Sequence, residues 1–486
     1  MQIDRHCSKG SNPFTEYLGK RQKGYFLCTE HELKGALTSP SENKPRHRKD
    51  ASANRTASAN ARHAHRAPSA PETDGSSAEI LVSRRRFLYG AIGVGAAAAV
   101  VGGSALVASR QSDSTEVEYL EVPEDAVTTQ ENLVAVEDYT ERLNQIGEYD
   151  LPYGTLVWAN SDEVAACLLP TEFGSPLTQI GVLMLGSGLD ETVLEEAVGT
   201  DEHFEVYDVR ATEHGMVWTE ANILAGTWRI YTATLDGVNL GEPVLADEGD
   251  ATYDTPSLAV CGPYAFWQVL PKLPNDDGLP SHVMRAKMGS GKSERFFESA
   301  RRMACAPYGT DDALIIAPRL DMATKYYQLT CLDAKTGDVR DTCTLPSGMT
   351  PNEIGYGDTG FAFMFDSIYS YGDGIANLGT YTPMKTPAKK GDYSSVPWFS
   401  FARTPLMPPA WANGKLIVKS TRPVCSIDLN AGEYAVIDVE DGTETYGEYL
   451  ASTGVHNTFV TYSNIDHTPV EGDHIHACRV KVWMPY

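Results

Sequence analysis

The chain lacks the sequence signatures of the common hydrolases and redox enzymes. Its 486 residues contain no Gly-x-Ser-x-Gly nucleophile motif, no His-Glu-x-x-His motif and no pair of adjacent cysteines. Helical periodicity is nearly absent, and only one long apolar run occurs. With 42% hydrophobic and 22% charged residues, the composition excludes a wholly disordered, a collagenous and a multispanning membrane protein.

Basic residues are scarce after Arg110. Up to that residue the chain has 17 Lys and Arg against 9 Asp and Glu, whereas the remainder has 23 against 56, a net charge of −33. A surface of this kind repels phosphate backbones and anionic headgroups, so we expect no nucleic-acid partner for this part. The excess carboxylates are expected to keep the protein soluble, and cationic partners or divalent ions remain open.

Large apolar residues are almost missing from the segment 39–78, which consists mostly of Ser, Ala, Pro, Asn, Arg and His. Such a segment cannot bury enough surface to offset the entropy lost on ordering. The sequence therefore predicts a disordered basic extension over residues 1–82.

A short basic motif precedes the one long apolar run. The sequence SRRRFL at 83–88, followed by GAIGVGAAAAVVGGSALVA, resembles a twin-arginine (Tat) export signal over residues 83–110. The resemblance implies that the twin-arginine translocase is a partner during export and that the chain after 108 is extracytoplasmic. The residues that it marks as the signal are Ser83, Arg84, Arg85, Phe87 and Leu88.

The apolar run leaves two localisations open. Residues 87–108 are long enough to anchor the chain in a membrane, whereas cleavage after Ala105 would release it as a secreted protein. Because an export signal normally begins a chain, we also hypothesise that translation starts near Leu81 or Val82. Residues 111–150 are predicted to be an acidic tether.

Short β-rich runs recur through residues 151–486 at intervals of about 50 residues. Glycine turns such as those at Gly337 and Gly432 recur with the same period. A repeat of this length built from short strands indicates the blades of a β-propeller. We predict an all-β propeller with seven four-stranded blades, with six and eight as alternatives. The β-rich runs centre on Trp158, Trp218, Trp267, Ile316, Phe363, Ile417 and Val460.

The last repeat stops at Tyr486 before a fourth strand. Propellers commonly close their ring with a strand from the other terminus, which removes an exposed sheet edge. Residues 117–122 or 133–137 are predicted to supply this strand, and residues 138–146 to form a short helix.

One blade turn carries a family resemblance. Residues 331–339, CLDAKTGDV, resemble the Leu-Asp-Ala-x-Thr-Gly-x-Val turn of quinoprotein-like propeller repeats, and the other blades resemble quinoprotein-like or WD repeats loosely. The resemblance implies the fold and little of the chemistry, because the adjacent cysteine pair of quinoprotein dehydrogenases is missing. No cofactor is predicted. Calcium remains open at 275–278 and at Asp311-Asp312, although turn formation explains these carboxylates equally.

A second set of residues offers metal ligands. Period-two alternation places His474, His476 and Cys478 on one face of a strand, where imidazole and thiolate groups suit zinc or copper. Exposed histidines on an ordinary strand are the alternative. Among the widely spaced cysteines, only Cys331 and Cys343 flank one predicted hairpin, so they are the candidate disulfide, one diagonal step out of register.

One further motif is interpreted as a hairpin turn, and a group of aromatic residues is interpreted as a candidate binding surface. The sequence AKMGSGKS at 286–293 resembles a phosphate-binding loop but lacks its first glycine, so we predict a hairpin turn. Trp398, Trp411 and residues 369–371 fall in loop-rich stretches, and we expect them to be exposed and available for stacking on a sugar.

Rigid blades with variable loops and no catalytic motif favour a binding function. We predict an exported propeller, either anchored at the cell surface or secreted, that binds a glycan, peptide or protein ligand. The alternative is an extracytoplasmic propeller enzyme of hydrolase, lyase or quinoprotein type with its site in the central funnel. An assembly or envelope-maintenance component is the third class.

Overall fold

The computed structural model describes residues 117–171, 179–273, 278–365, 379–401, 407–470 and 472–486. These residues belong to one compact unit and form 32 strands and five short 3-10 helices, with no α-helix among them. Within these ranges, no helix is long and apolar enough to cross a membrane. The residues of the predicted export signal, Ser83, Arg84, Arg85, Phe87 and Leu88, and the apolar run 87–108 lie outside the described residues.

Strand pairing gives seven sheets, named I to VII in chain order. Three strands precede them: β1 (Val127–Thr129), β2 (Val134–Ala135) and β3 (Leu143–Pro152). Sheet I contains β4 (Leu156–Ala159), β5 (Val164–Leu169), β6 (Gln179–Met184) and β7 (Asp190–Leu194). Sheet II contains β8 (Glu205–Thr212), β9 (Gly215–Asn222), β10 (Thr227–Asp236), β11 (Asn239–Leu240) and β12 (Val244–Gly249). Sheet III contains β13 (Ser257–Cys261), β14 (Tyr264–Val269), β15 (Ser281–Lys287) and β16 (Ser293–Ser299).

The remaining sheets follow the same order from first to fourth strand. Sheet IV contains β17 (Tyr308–Gly309), β18 (Ala313–Ile316), β19 (Gln328–Asp333) and β20 (Val339–Thr344). Sheet V contains β21 (Glu353–Gly357), β22 (Gly360–Phe365), β23 (Gly379–Pro383) and β24 (Trp398–Phe401). Sheet VI contains β25 (Ala410–Ala412), β26 (Lys415–Lys419), β27 (Val424–Asp428) and β28 (Glu433–Val436). Sheet VII contains β29 (Tyr449–Leu450), β31 (Phe459–His467), β32 (Ile475–Pro485) and β3, and the remaining strand, β30 (Gly454–His456), belongs to sheet VI.

The 3-10 helices are single turns in the connections. They span Glu124–Ala126, Gln130–Asn132, Tyr139–Glu141, Thr200–Glu202 and Tyr393–Ser395.

The sheets pack face to face in sequence order. Trp228 of sheet II packs with Val260 and Trp267 of sheet III, and Phe266 of sheet III packs with Leu314 and Phe296. The largest cluster continues through sheets IV, V and VI. Each sheet buries both faces in this way, which explains why second strands such as β14 and β22 are apolar at nearly every position. The predicted all-β propeller fold is therefore confirmed.

Sheet VI receives one strand from the chain segment that builds sheet VII. β30 lies between β29 and β31 in the chain, yet it pairs in parallel with β25 of sheet VI. If sheets VI and VII are counted as one unit because of this strand, the described part of the ring has six blades, and separate ladders give seven. The predicted number of seven blades therefore stays a prediction.

The β-rich runs found in the sequence occupy nearly equivalent positions. Trp218, Trp267 and the four runs after them lie on the second strand of their sheets, but Trp158 lies on β4, a first strand. This offset explains why the first interval is longer than the others. The motif AKMGSGKS lies in the turn between β15 and β16, so the predicted hairpin is confirmed.

The turns between third and fourth strands share a construction. In sheet IV the Asp333 carboxylate accepts hydrogen bonds from the backbone N–H of Lys335 and Thr336, at 3.0 and 2.8 Å. Gly337 has a φ of 79°, which favours glycine. In sheet VI, Asp428 and Gly432 repeat the arrangement, with carboxylate bonds to Asn430 and Ala431 and a φ of 71° at Gly432.

The segment 117–152 runs along the outer edges of consecutive sheets. Leu120 N donates to Thr344 O beside sheet IV, β1 pairs in parallel with β24 of sheet V, and β2 pairs in parallel with β28 of sheet VI. β3 then pairs antiparallel with β32 as the fourth strand of sheet VII.

The ring is thus closed by a strand from the N-terminal side, but by a different one from those predicted. Residues 117–122 and 133–137 cover other sheets, and the region predicted as a helix contains a 3-10 turn at Tyr139–Glu141 and the start of β3. β3 is an outer strand that buries few side chains, mainly Leu143 and Leu151. Its polar sequence therefore carries little of the hydrophobic signal of a strand.

Deleting residues 1–152 is expected to prevent folding to a soluble monomer, whereas deleting residues 1–116 is expected to leave the unfolding midpoint unchanged. β3 has ten residues, and at about 1 kcal/mol net per backbone hydrogen bond its loss rivals a total stability of about 5–15 kcal/mol. Size-exclusion chromatography and thermal circular dichroism measure both. A monomeric 153–486 fragment with the midpoint of the 117–486 fragment would contradict this closure.

Candidate functional site

A cavity of about 250 Å³ lies between sheets II and III. It opens at the face formed by the loops that join second to third strands and each sheet to the next. Tyr207 comes from the start of β8, and Tyr253 and Asp254 come from the linker between the sheets. The full lining consists of Tyr207, Asn222, Ile223, Gly226, Tyr253, Asp254, Thr255 and Lys272.

Exposed apolar side chains lie at or next in sequence to the residues that line this cavity. Ile223 is 62% exposed and Leu224 is fully exposed in the turn between β9 and β10, and Leu273 is 60% exposed after β14. The turn that presents them is held by the Asn222 side chain, whose amide donates to Glu202 O and accepts from Ala225 N. Adjacent exposed aliphatic residues beside a cavity are typical of a surface that binds a partner.

Two polar side chains of the cavity lining, those of Asn222 and Asp254, have hydrogen-bond or ion-pair partners within the protein. The Asp254 carboxylate forms an ion pair with Arg302 at 2.8 Å, and Arg302 also donates to Pro271 O. Tyr253 and Pro271 form an isolated β-bridge that holds the linker against the loop after β14. The cavity lining therefore combines the rings of Tyr207 and Tyr253 and the side chain of Ile223 with polar groups, of which Asn222 and Asp254 are engaged within the protein.

Backbone and side chains fill part of the centre of the ring. The Tyr308 hydroxyl, from the first strand of sheet IV, donates to Pro409 O at 2.9 Å and accepts from Gly454 N at 2.7 Å. Burial raises the pKa of Tyr308, so this phenol stays protonated. β30 reaches this position by pairing with β25, and the inner edges of sheets IV, VI and VII are tied together there.

Carboxylates gather around His456 at the face of the turns between first and second strands. The His456 side chain is only 5% exposed; its Nε2 contacts Thr453 O at 2.7 Å, and its Nδ1 lies 4.0 Å from Asp311 Oδ1. Partial burial raises the pKa of Asp311, His456 acts in the opposite direction, and Glu213 and Asp162 raise it further. These groups come from the turns between first and second strands of sheets I, II and IV and from β30, which pairs with sheet VI, so the sequence candidate Asp311 lies where several sheets converge.

The predicted ligand set His474, His476 and Cys478 is divided in the structure. His474 and His476 are exposed at the tip of the β31–β32 hairpin, but Cys478 is fully buried and its thiol donates to Thr155 O. The alternation of β32 continues, yet from Cys478 onward this face is covered by sheet I. Asp466, which pairs across the strands with His476, takes the position beside both histidines.

The two cysteines predicted as a candidate disulfide are not bonded to each other. Cys331 and Cys343 are free, buried thiols and not a disulfide. Cys331 pairs with Asp341 and Leu329 pairs with Cys343, so the two cysteines are diagonal neighbours. Burial raises the pKa of both thiols, which keeps them unreactive.

The aromatic residues expected to be exposed are buried. Trp398 and Trp411 are 0% and 4% exposed, because they lie on β24 and β25 and not in loops. Residues 369–371 and 275–277 lie outside the described residues. The stacking and calcium hypotheses at those positions are therefore not tested.

Buried charges between sheets VI and VII were missed by sequence reasoning. Lys419 is fully buried, and its Nζ donates to Thr421 O, Arg422 O and Tyr446 O at 2.8–3.3 Å. Glu448 is also fully buried; Thr461 donates to its Oε1 at 2.8 Å, and its Oε2 has no hydrogen-bond partner among the described residues. These groups fix the linker between the two sheets.

Comparison with known proteins shows likeness of fold alone. No protein-family model matches the chain, and no curated protein sequence matches it. A structure of prolyl endopeptidases shares 12% identity and a TM-score of 0.43, over 68% of this chain and 50% of that one. The propeller domain of the Trilobed protease from Pyrococcus furiosus shares 11% identity and a TM-score of 0.39, over 67% of this chain and 97% of that one.

A third structure has a similar degree of likeness. The N-terminal domain of Nup159 shares 12% identity and a TM-score of 0.39, over 76% of this chain and 100% of that one. This chain spans about half the length of the prolyl endopeptidase. The likenesses agree on a propeller and on nothing more specific.

The stability difference between the wild type and Lys419→Met is expected to grow in favour of the wild type between pH 7 and pH 10. Burial lowers the pKa of Lys419 to about 7, although Glu448 acts in the opposite direction; unfolded lysine has a pKa of about 10.4. Over that window the unfolded chain binds more protons at this side chain, so its contribution to the free energy of unfolding rises with pH.

Urea denaturation at several pH values measures this difference. The exposed Lys335→Met variant is the control for removing a lysine. A difference between the wild type and Lys419→Met that stays constant with pH would contradict the lowered pKa.

Proposed function

We propose that the protein is a binding propeller that takes an apolar segment of a peptide in the cavity between sheets II and III. The observation that carries this proposal is the cavity itself, bordered by the exposed side chains of Ile223, Leu224 and Leu273. The loops that present these side chains are anchored on rigid strands, as in many binding proteins.

The chemistry of the cavity favours a peptide over a glycan. A sugar needs free polar groups for its hydroxyls, but Asn222 and Asp254 already have partners within the protein. The exposed residues beside the cavity are aliphatic, which suits the apolar side chains of a peptide. Exposed Lys272 is the one cation in the lining, and it suits a carboxylate of the bound peptide.

The cellular setting is a further part of the proposal. The resemblance of residues 83–88 to a twin-arginine signal supports export, with either a membrane anchor at 87–108 or release after cleavage. The net charge of −33 after Arg110 supports an extracytoplasmic domain that avoids nucleic acid. The separate ladders of sheets I to VII support a seven-bladed ring.

Substitution of the apolar border is expected to weaken peptide binding at least tenfold. Peptides are first selected from a displayed dodecapeptide library on the full chain, and their affinities are measured by fluorescence anisotropy. Leu224→Ser and Ile223→Ser each remove an apolar contact, and a buried leucine contributes about 1.5–3 kcal/mol. Val470→Ser is the matched control, because Val470 is equally exposed but lies on sheet VII.

Two results would contradict the proposal. One is a selected peptide whose affinity falls equally in the Leu224 and Val470 variants. The other is the absence of peptide binding together with binding to a glycan array.

The second candidate function is a propeller enzyme with its site in the central funnel. It is favoured by the convergence of Asp162, Glu213 and Asp311 around His456, which offers carboxylates in different environments for acid and base roles.

For this candidate we expect the wild type to hydrolyse a substrate in a panel of peptides and glycans. The hydrolysis rate is expected to be more than a hundredfold lower in Asp311→Asn and His456→Ala. Asp201→Asn, an exposed carboxylate on sheet II's side of the ring, is expected to retain full turnover. The absence of turnover on the whole panel would reject the enzyme.

A further inference from the structure

The β31–β32 hairpin carries three metal-ligating groups at its tip. Asp466 of β31 lies directly opposite His476 of β32, and His474 comes one residue before β32 begins. One potential ligand atom from each side chain lies within 4.8 Å of the other two. The three side chains are 53–55% exposed, so an ion can enter from solvent.

We propose that Asp466, His474 and His476 bind one divalent metal ion of the zinc type. His474 Nε2 lies 3.3 Å from Asp466 Oδ1, and His476 Nδ1 lies 3.5 Å from Asp466 Oδ2. Ligand bonds of 2.0–2.1 Å in a tetrahedral site place neighbouring ligand atoms about 3.3 Å apart. The two nitrogen-to-oxygen separations are therefore near those that a bound ion requires, and one ligand atom from each of the three side chains lies within 4.8 Å of the others.

Neighbouring groups hold both imidazoles in position. Thr468 Oγ1 lies 2.9 Å from His474 Nδ1, so this hydroxyl can accept the Nδ1 proton and leave the Nε2 lone pair facing Asp466. His476 is stacked on Tyr153, with ring centroids 4.1 Å apart and planes 11° apart. Tyr153 in turn donates to Glu444 at 2.7 Å. Such supporting contacts are usual around metal-bound histidines.

Without a metal ion, each neutral imidazole can donate one N–H to the Asp466 carboxylate. A metal ion instead uses both neutral imidazoles and the carboxylate together. Two His and one carboxylate leave a fourth tetrahedral position open to water or a ligand.

The site would also strengthen closure of the ring. Tyr153 directly follows β3, and its contact with His476 links the closing strand to the hairpin tip. An ion that fixes His476 also fixes this contact, because binding to the folded state alone stabilises it. We therefore expect zinc to raise the unfolding temperature of the protein.

The test is titration of the metal-free full chain with Zn²⁺ against a chromogenic chelator. Because the chain also has five histidines within residues 1–82, the readout is the difference between variants. Asp466→Asn, His474→Ala and His476→Ala are each expected to lose one equivalent of bound zinc and the rise in unfolding temperature. Thr468→Val is expected to lower the affinity for that zinc ion by about 10–100-fold.

The matched control is His467→Ala, on the same hairpin but outside the cluster. It is expected to bind as the wild type does. Co²⁺ in the wild type should give the visible spectrum of a tetrahedral ion, and this spectrum should be lost in the three ligand variants. Unchanged zinc stoichiometry in the ligand variants, or equal loss in His467→Ala, would overturn the proposal.

Discussion

The antiparallel pairing of β3 with β32 is the constraint on which the rest of the ring depends. Sheet VII receives only three of its main strands from the C-terminal part of the chain, and its outer edge would otherwise present unpaired backbone groups. Once β3 occupies that edge, the next residues enter β4 and begin sheet I. The first and last sheets are thereby held together by continuous chain and backbone hydrogen bonds.

The two candidate regions differ in how the sheets support them. The cavity lies where the loops of sheets II and III diverge, so its walls come from turns and a linker. The three proposed ligands lie at the hairpin tip of sheet VII, on β31, on β32 and one position before β32. Both regions lie at the face of the loops between second and third strands, whereas His456 and Asp311 lie at the opposite face.

Much of the fold was predictable because apolar second strands and glycine turns recur with the length of a blade. Trp218 and Gly337 could be placed for that reason. The closing strand was not predictable, because the outer strand β3 shows alternation only weakly. Of the three proposed metal ligands, the two histidines followed from alternation, but Asp466 depended on the strand pairing. The cavity is built from residues distant in sequence, such as Tyr207 and Lys272, so no local sequence pattern predicts it.

The course of residues 117–142 along the rim has a mechanical consequence. Tension on the preceding chain enters the ring beside sheet IV and then passes along β1 and β2, which lie parallel to the outer strands of sheets V and VI. A strand pulled along its own length must break its hydrogen bonds together, whereas one pulled sideways loses them singly. Force applied to the preceding chain would therefore be resisted by the hydrogen bonds of residues 117–142, including those of β1 and β2, before it reaches β3.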